Sequence, residues 1–347
     1  MNRVQEQLLL KDTPACLRRQ RGVTLVELMV ALALGLLITV AMLKVYVDAS
    51  GLYRFNEGLA RVQENGRFAL EFIRRDARVA GFWGCYSNAP LTNQISTTSS
   101  AWVDVAAGHI AGTNDDPPYD SDSITFRSAT GSGALVTADM SEAGDNVTVD
   151  SASNLKIDMA VLISDCDNGD IFQVTSISGK SLAHTASGST NTSANLSKAY
   201  ASGSRVYQAQ QTTFCIADGA DPAQPSLRRL TNPTSSQSCA SNGDELIEGV
   251  ENMQILYGED TDADSEGANG DGTANRYVAI DTADLNPDRI VSVRLSLLVR
   301  SINDNLTTDL SPYTFPSWVN PPTLTTPTDR HLRKVFTTTI TLRNKAG

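Results

Sequence analysis

The chain has 347 residues, 41% of them hydrophobic and 19% charged, with a formal net charge of −11. That is enough chain for one large domain or two moderate ones, and so acidic a chain has little electrostatic claim on nucleic acid. His109, His184 and His331 lie far apart in Ser/Thr-rich or loop sequence, and no HExxH, GxSxG, P-loop or GxGxxG occurs, so no enzyme is indicated.

The chain opens on a polar, basic leader, residues 1–22, with Arg3, Lys11, Arg18, Arg19 and Arg21 against Glu6 and Asp12. Val23 to Leu43 then reads VTLVELMVALALGLLITVAML. This is long enough to cross a bilayer, and the basic leader keeps the preceding side cytoplasmic. It has no proline and one charge, Glu27. A carboxylate in an apolar span is costly unless paired and is a functional residue by default; the plainer alternative is a side chain snorkelling to the headgroups. A secretory signal carries its small-residue cleavage site after the apolar run, whereas here Gly22 stands before it.

RGVTLVELMVALAL resembles the class III signal of type IV pilins and their relatives. The resemblance implies cleavage between Gly22 and Val23 by a membrane-embedded prepilin peptidase, methylation of the new amino terminus at Val23, and pairing of Glu27 with a neighbouring subunit's amino terminus during assembly. Val23 stands where Phe or Met is commoner. Losing the leader removes five Lys/Arg and two Asp/Glu, which takes the net charge to −14.

The helix is predicted to continue to Gly81, giving a helical segment 23–81 with 23–43 as its transmembrane part. Leu52, Phe55, Leu59, Val62, Gly66, Ala69, Ile73, Ala77 and Ala80 recur at three- and four-residue steps. Glu57–Arg61 and Glu71–Arg75 fall on other faces at i,i+4. A coiled-coil stalk is the alternative, but Gly66 and the alanines suit close packing on a sheet better than a leucine seam does.

Residues 82–347 form the predicted globular domain. Short β-branched runs at 123–126, 146–149, 159–164 and 170–177 read as strands, with a β-rich insertion at about 134–198. Residues 182–197 are Ser/Thr/Asn-rich and read as a mobile loop. Longer strands follow at 204–217, 226–230, 245–258, 289–302 and 333–344, and five prolines make 312–329 a surface loop. In 289–302, Val291, Val293, Leu295, Leu297 and Val299 alternate with Ser292, Arg294, Ser296 and Leu298, the pattern of a half-buried strand. The fold class is therefore α+β: a long amino-terminal helix whose second half packs on an antiparallel sheet. Cys16 leaves with the leader, and Cys85, Cys166, Cys215 and Cys239 allow three disulfide pairings. The shorter loop favours Cys215–Cys239, which leaves Cys85–Cys166.

DARVAGFWGCYS (76–87), SDCDNGDIFQVTS (164–176), SLRRL (226–230), ELIEGVENMQILYGEDTDADS (245–265) and ANRYV (274–278) resemble successive blocks of PilW-type minor pilins. That resemblance implies a pilin-like fold and a structural minor pilin that primes type IV pilus assembly and sits in a tip complex. The implied partners are other minor pilins, the major pilin, a tip adhesin, the prepilin peptidase and the inner-membrane assembly platform. The implied location is a single inner-membrane pass with a periplasmic domain in a Gram-negative cell, then the pilus tip. A minor pseudopilin of type II secretion and a tip adhesin that binds glycans are the alternatives; Trp83, Trp102 and Trp318 would suit the latter. The acidic stretch DTDADSEGANGD (260–271) places Asp260, Asp262 and Asp264 at the first, third and fifth positions of a calcium loop, with Glu266 at the seventh and Asp271 at the last. Ser265 replaces the turn glycine and Asp271 the closing glutamate, so a solvated acidic turn and an acidic docking loop stand beside calcium.

Overall fold

The computed structural model describes residues 22–84, 91–234, 236–262, 270–319 and 321–344. Two compact units divide at Tyr53 and Arg54. Helix α1 (Leu25–Val79) has 55 residues. In the first unit every large apolar side chain from Val23 to Val47 is more than half exposed. A helix that is apolar all round belongs in lipid or among other helices, and α1 is long and apolar enough to cross a membrane.

In the second unit α1 buries Val62, Gly66, Ala69, Ile73 and Ala77. The stripe starts at Val62 rather than Leu52, which is exposed. Gly66 is there because a Cβ would lie 2.3 Å from the Phe336 ring. Helix α1 stops at Val79, two residues before the expected end, where the Asn344 amide donates to the Val79 and Ala80 carbonyls; Gly81 takes a positive φ and donates to Arg127 O.

The strands follow in chain order: β1 (Leu91–Asn93), β2 (Ile110–Asp116), β3 (Ser121–Leu135), β4 (Val147–Thr148), β5 (Ala160–Ser164), β6 (Gly169–Gln173), β7 (Ser176–Ser178), β8 (Ser181–Ala183), β9 (Arg205–Asp218) and β10 (Pro225–Thr231). After the short helix α2 (Cys239–Asn242) come β11 (Asp244–Glu248), β12 (Val250–Glu259), β13 (Arg276–Val278), β14 (Ile290–Arg300), β15 (Tyr313–Thr314), β16 (Leu324–Thr325) and β17 (Arg333–Thr341). The larger sheet runs β1-β6-β5-β9-β10-β11, with β3 on β9 and β2 on β3. All its pairs are antiparallel except β1–β6. The second sheet runs β13-β12-β14-β17, all antiparallel. Within 134–198, β5 and β6 join the larger sheet, whereas β4, β8 and β7 form a small sheet of their own.

The main core joins the α1 stripe to β12, β14 and β17 through Met253, Ile255, Val293, Leu295, Leu297 and Ile340. Strand β14 departs from the half-buried expectation, since Ser292, Ser296 and Leu298 on its other face are buried too. Tyr277 covers the Ser292 end of that face: its hydroxyl meets Ser292 Oγ at 3.0 Å and its ring lies 4.0 Å from the Arg294 guanidinium carbon, while Ser296 Oγ meets Thr337 Oγ1 at 3.2 Å. The 182–197 stretch is also not the mobile loop its composition suggests. Asn191 is 1% exposed; its side chain accepts from Gln173 N (2.8 Å) and donates to Gln173 O (2.9 Å), pinning the loop to β6.

Strand β3 fastens the larger sheet to the outer edge of β12. Ser121 Oγ donates to Met253 O and accepts from Met253 N, while Asp122 accepts from Ile255 N (2.6 Å) and Asp115 N (3.0 Å). Burial pushes the Asp122 carboxyl up to about 6; the two amides oppose the rise, and nearby Asp115 and Asp116 add to it. A carboxyl raised in the folded state contributes stability that is present below its ordinary pKa near 3.8 and lost as pH rises through about 6. The expected size is on the order of 2–3 kcal/mol. Urea denaturation of the detergent-solubilised chain at pH 4.5 and pH 7 checks this: Asp122→Asn lacks the increment at the lower pH that the parent chain gains from this group.

Candidate functional site

The start of α1 is built by local hydrogen bonding. Thr24 N and Thr24 Oγ1 donate to Glu27 Oε2 at 3.0 and 3.1 Å, and Glu27 N donates back to Thr24 Oγ1 at 3.2 Å. This is a reciprocal capping box: it satisfies amides that the first helical turn leaves without partners. The signature was present in the sequence as Thr-x-x-Glu at 24–27. Gly22 precedes it with nothing within 4 Å of its Cβ position, and Val23 is 72% exposed. An accessible backbone is thus followed by an apolar helix whose first turn holds one carboxylate.

The cysteines staple the second unit. Cys215 on β9 is bonded to Cys239 on α2, 24 residues later. Cys166 is also disulfide-bonded; Cys85, its expected partner, lies outside the described residues.

The acidic loop follows β12. Asp260 is 1% exposed, and its carboxylate accepts from Asp262 N (3.1 Å) and Gly272 N (2.7 Å). Gly270, at φ +65°, lets the chain close over it, because a Cβ there would lie 2.1 Å from the Asp260 carboxylate. Carboxylate oxygens of Asp260, Asp262 and Asp271 come within 4.8 Å of one another; Asp264 and Glu266 lie outside the described residues. Asp260 serves the turn by accepting these two amides.

A second convergence had no sequence signal. Asp304, Asp329 and His331 offer ligand atoms within 4.8 Å of one another. Each has protein partners: Asp304 accepts from Asn305 N and Arg330 N, Asp329 pairs with Arg333, and His331 Nδ1 meets the Ser301 carbonyl at 2.7 Å. The other two histidines, read from the sequence as surface or loop residues, are buried. His109 Nε2 lies 3.3 Å from Ile290 O, and His184 Nε2 lies 2.8 Å from Asp145 O. Trp83 is a core residue.

Comparison with known proteins gives two family-model matches. Residues 213–344 match the model described as Type IV Pilus-assembly protein W, and residues 17–43 match the prokaryotic N-terminal methylation motif. Among solved structures the chain is similar to the Type IV-like pilin TTHA1219 from Thermus thermophilus, at 11% identity and a TM-score of 0.34, covering 83% of this chain and 99% of that one. No curated protein matches.

Proposed function

From a chain that joins a prepilin methylation motif to a carboxy-terminal region of the PilW type, we propose a structural minor pilin that is cut between Gly22 and Val23, methylated at Val23, and inserted into a type IV pilus. In this reading the subunit waits in the inner membrane with its second unit in the periplasm, then helps prime assembly and remains in a tip complex with other minor pilins. The observation that carries it is the amino-terminal part of α1, with large apolar side chains exposed on every face and a single early carboxylate. Lipid covers such a helix before assembly, and neighbouring helices cover it afterwards. Glu27 then meets the positive amino terminus of an adjacent subunit, because a carboxylate among packed helices needs a charged partner.

The capping box supplies a competing role for Glu27, and conservative variants separate the two. Glu27→Gln keeps a capping side chain but removes the charge. Thr24→Ala removes the cap but keeps the charge. Glu27→Gln is expected to be cleaved normally and to fall about tenfold in the sheared filament fraction, equivalent to ~1.4 kcal/mol of lost recruitment. Thr24→Ala is expected to be recovered near the parent level. Loss with Thr24→Ala and normal recovery of Glu27→Gln would make Glu27 a helix cap and nothing more.

A further inference from the structure

Strand β17 ends the second sheet, and among the described residues no strand pairs with its outer edge. Leu342 N donates to Val291 O at 2.8 Å. With Ile340 opposite Val293 and Thr338 opposite Leu295, the antiparallel alternation makes these the residues that bond to β14. Thr339 and Thr341 therefore turn their N–H and C=O groups away from the sheet. Earlier in the strand, Ser317 reaches Thr337 across 2.8 Å, and the opposite edge of the sheet is occupied by β13 and by Ser121 and Asp122. The outward groups of Thr339 and Thr341 lie at the end of the strand.

That stretch borders a groove of ≈ 510 Å³ lined by Arg74, Arg78, Thr339, Ile340, Thr341 and Arg343. Arg74 donates to Thr338 Oγ1 and has a loose, exposed pairing with Glu71 at 3.9 Å. Among the described residues Arg78 and Arg343 have no ion pair, and both are exposed. Three guanidiniums gathered on a chain of net charge −11 are a local reversal of sign. A second copy of the same edge would bring these arginines against their own counterparts, so like-charge repulsion disfavours a symmetric pairing.

We propose that this groove receives an extended acidic segment of a different filament subunit, which adds as a strand to β17. Backbone groups of Thr339 and Thr341 bond the incoming strand, and Arg74, Arg78 and Arg343 bind its carboxylates. The identity of the partner as a filament subunit rests on the minor-pilin reading; the strand addition rests on the groove alone.

The test uses the full chain in detergent and a short acetylated, fluorescently labelled peptide alternating Glu and Val, with binding followed by anisotropy. The Glu peptide is expected to bind about tenfold more tightly than its Lys-Val counterpart, and to lose about tenfold when alternate peptide amides are N-methylated. Thr339→Pro removes an outward N–H without a ladder bond and is expected to give the same loss, as is Arg78→Glu with Arg343→Glu. Undiminished binding of the N-methylated peptide would reduce the site to a bare ionic patch and overturn strand addition. Equal binding of the Lys peptide, or no binding of the Glu peptide, would overturn it as well. The amino-terminal sequence of the cellular protein decides the pilin reading separately. A mature terminus at Val23 with no peptide binding sinks only the groove; an uncut chain that binds the peptide sinks only the filament partner.

Discussion

Gly22→Val is expected to leave the leader attached and to keep the chain out of filaments. A peptidase must draw the scissile backbone flat against its catalytic groups, and the Gly22 Cβ position is open, with nothing within 4 Å. A branched side chain there puts bulk beside the bond to be cut and disfavours the extended approach. A loss of about 100-fold in cleavage rate corresponds to ~2.7 kcal/mol of barrier. The check is intact-mass analysis of membrane-extracted protein, since the proposed leader would carry 22 residues and five of the chain's basic groups. Normal processing of Gly22→Val would contradict the assigned junction.

The second large effect belongs to Arg333, whose side chain is 4% exposed at the start of β17. Its guanidinium donates to both oxygens of Glu251 (2.7 and 2.9 Å) and to Asp329 (2.8 Å), clamping β12 and the 312–329 loop to β17 across β14. Removing one partner of a buried pair costs about 3–5 kcal/mol because the other is left uncompensated. Glu251 and Asp329 keep some solvent access, which places Arg333→Met near the lower end, about 3 kcal/mol by urea midpoint. Adding Glu251→Met should recover part of the loss, because the stranded carboxylate is gone. Hydrogen bonds from Arg333 hold the Asp329 carboxyl down at about 2. A depressed carboxylate contributes stability present above its ordinary pKa near 3.8 and lost as pH falls through about 2. The Arg333→Met deficit should therefore shrink in strong acid, the opposite direction to Asp122.

What the sequence made legible follows from the range of each interaction. The helical repeat at Val62, Gly66, Ala69, Ile73 and Ala77 is local, so its burial against the second sheet was readable in advance. The same periodicity at Leu52 did not report burial, because a repeat names a face and not what covers it. Strand β14 read as half-buried for a similar reason: Tyr277 of β13 meets Ser292 and stacks on Arg294, and Thr337 of β17 meets Ser296, so its other face is covered from neighbouring strands. His109 is fixed by a carbonyl 181 residues away, and no local pattern encodes such a contact. The capping box at Thr24 and Glu27 was readable but masked by its apolar setting, which drew attention to the carboxylate's charge rather than its hydrogen bonds. The arginine groove is invisible in one dimension, since Arg74 and Arg343 meet only once β17 has become an edge strand.

The measurement that bears most directly on the account is amino-terminal mass spectrometry of the chain recovered from sheared pili. A peptide beginning at N-methylated Val23 is expected in the filament fraction, at low abundance beside other pilins. A chain found only in the membrane and still beginning at Met1, or one cut after residue 43 as a secretory signal would be, would contradict it.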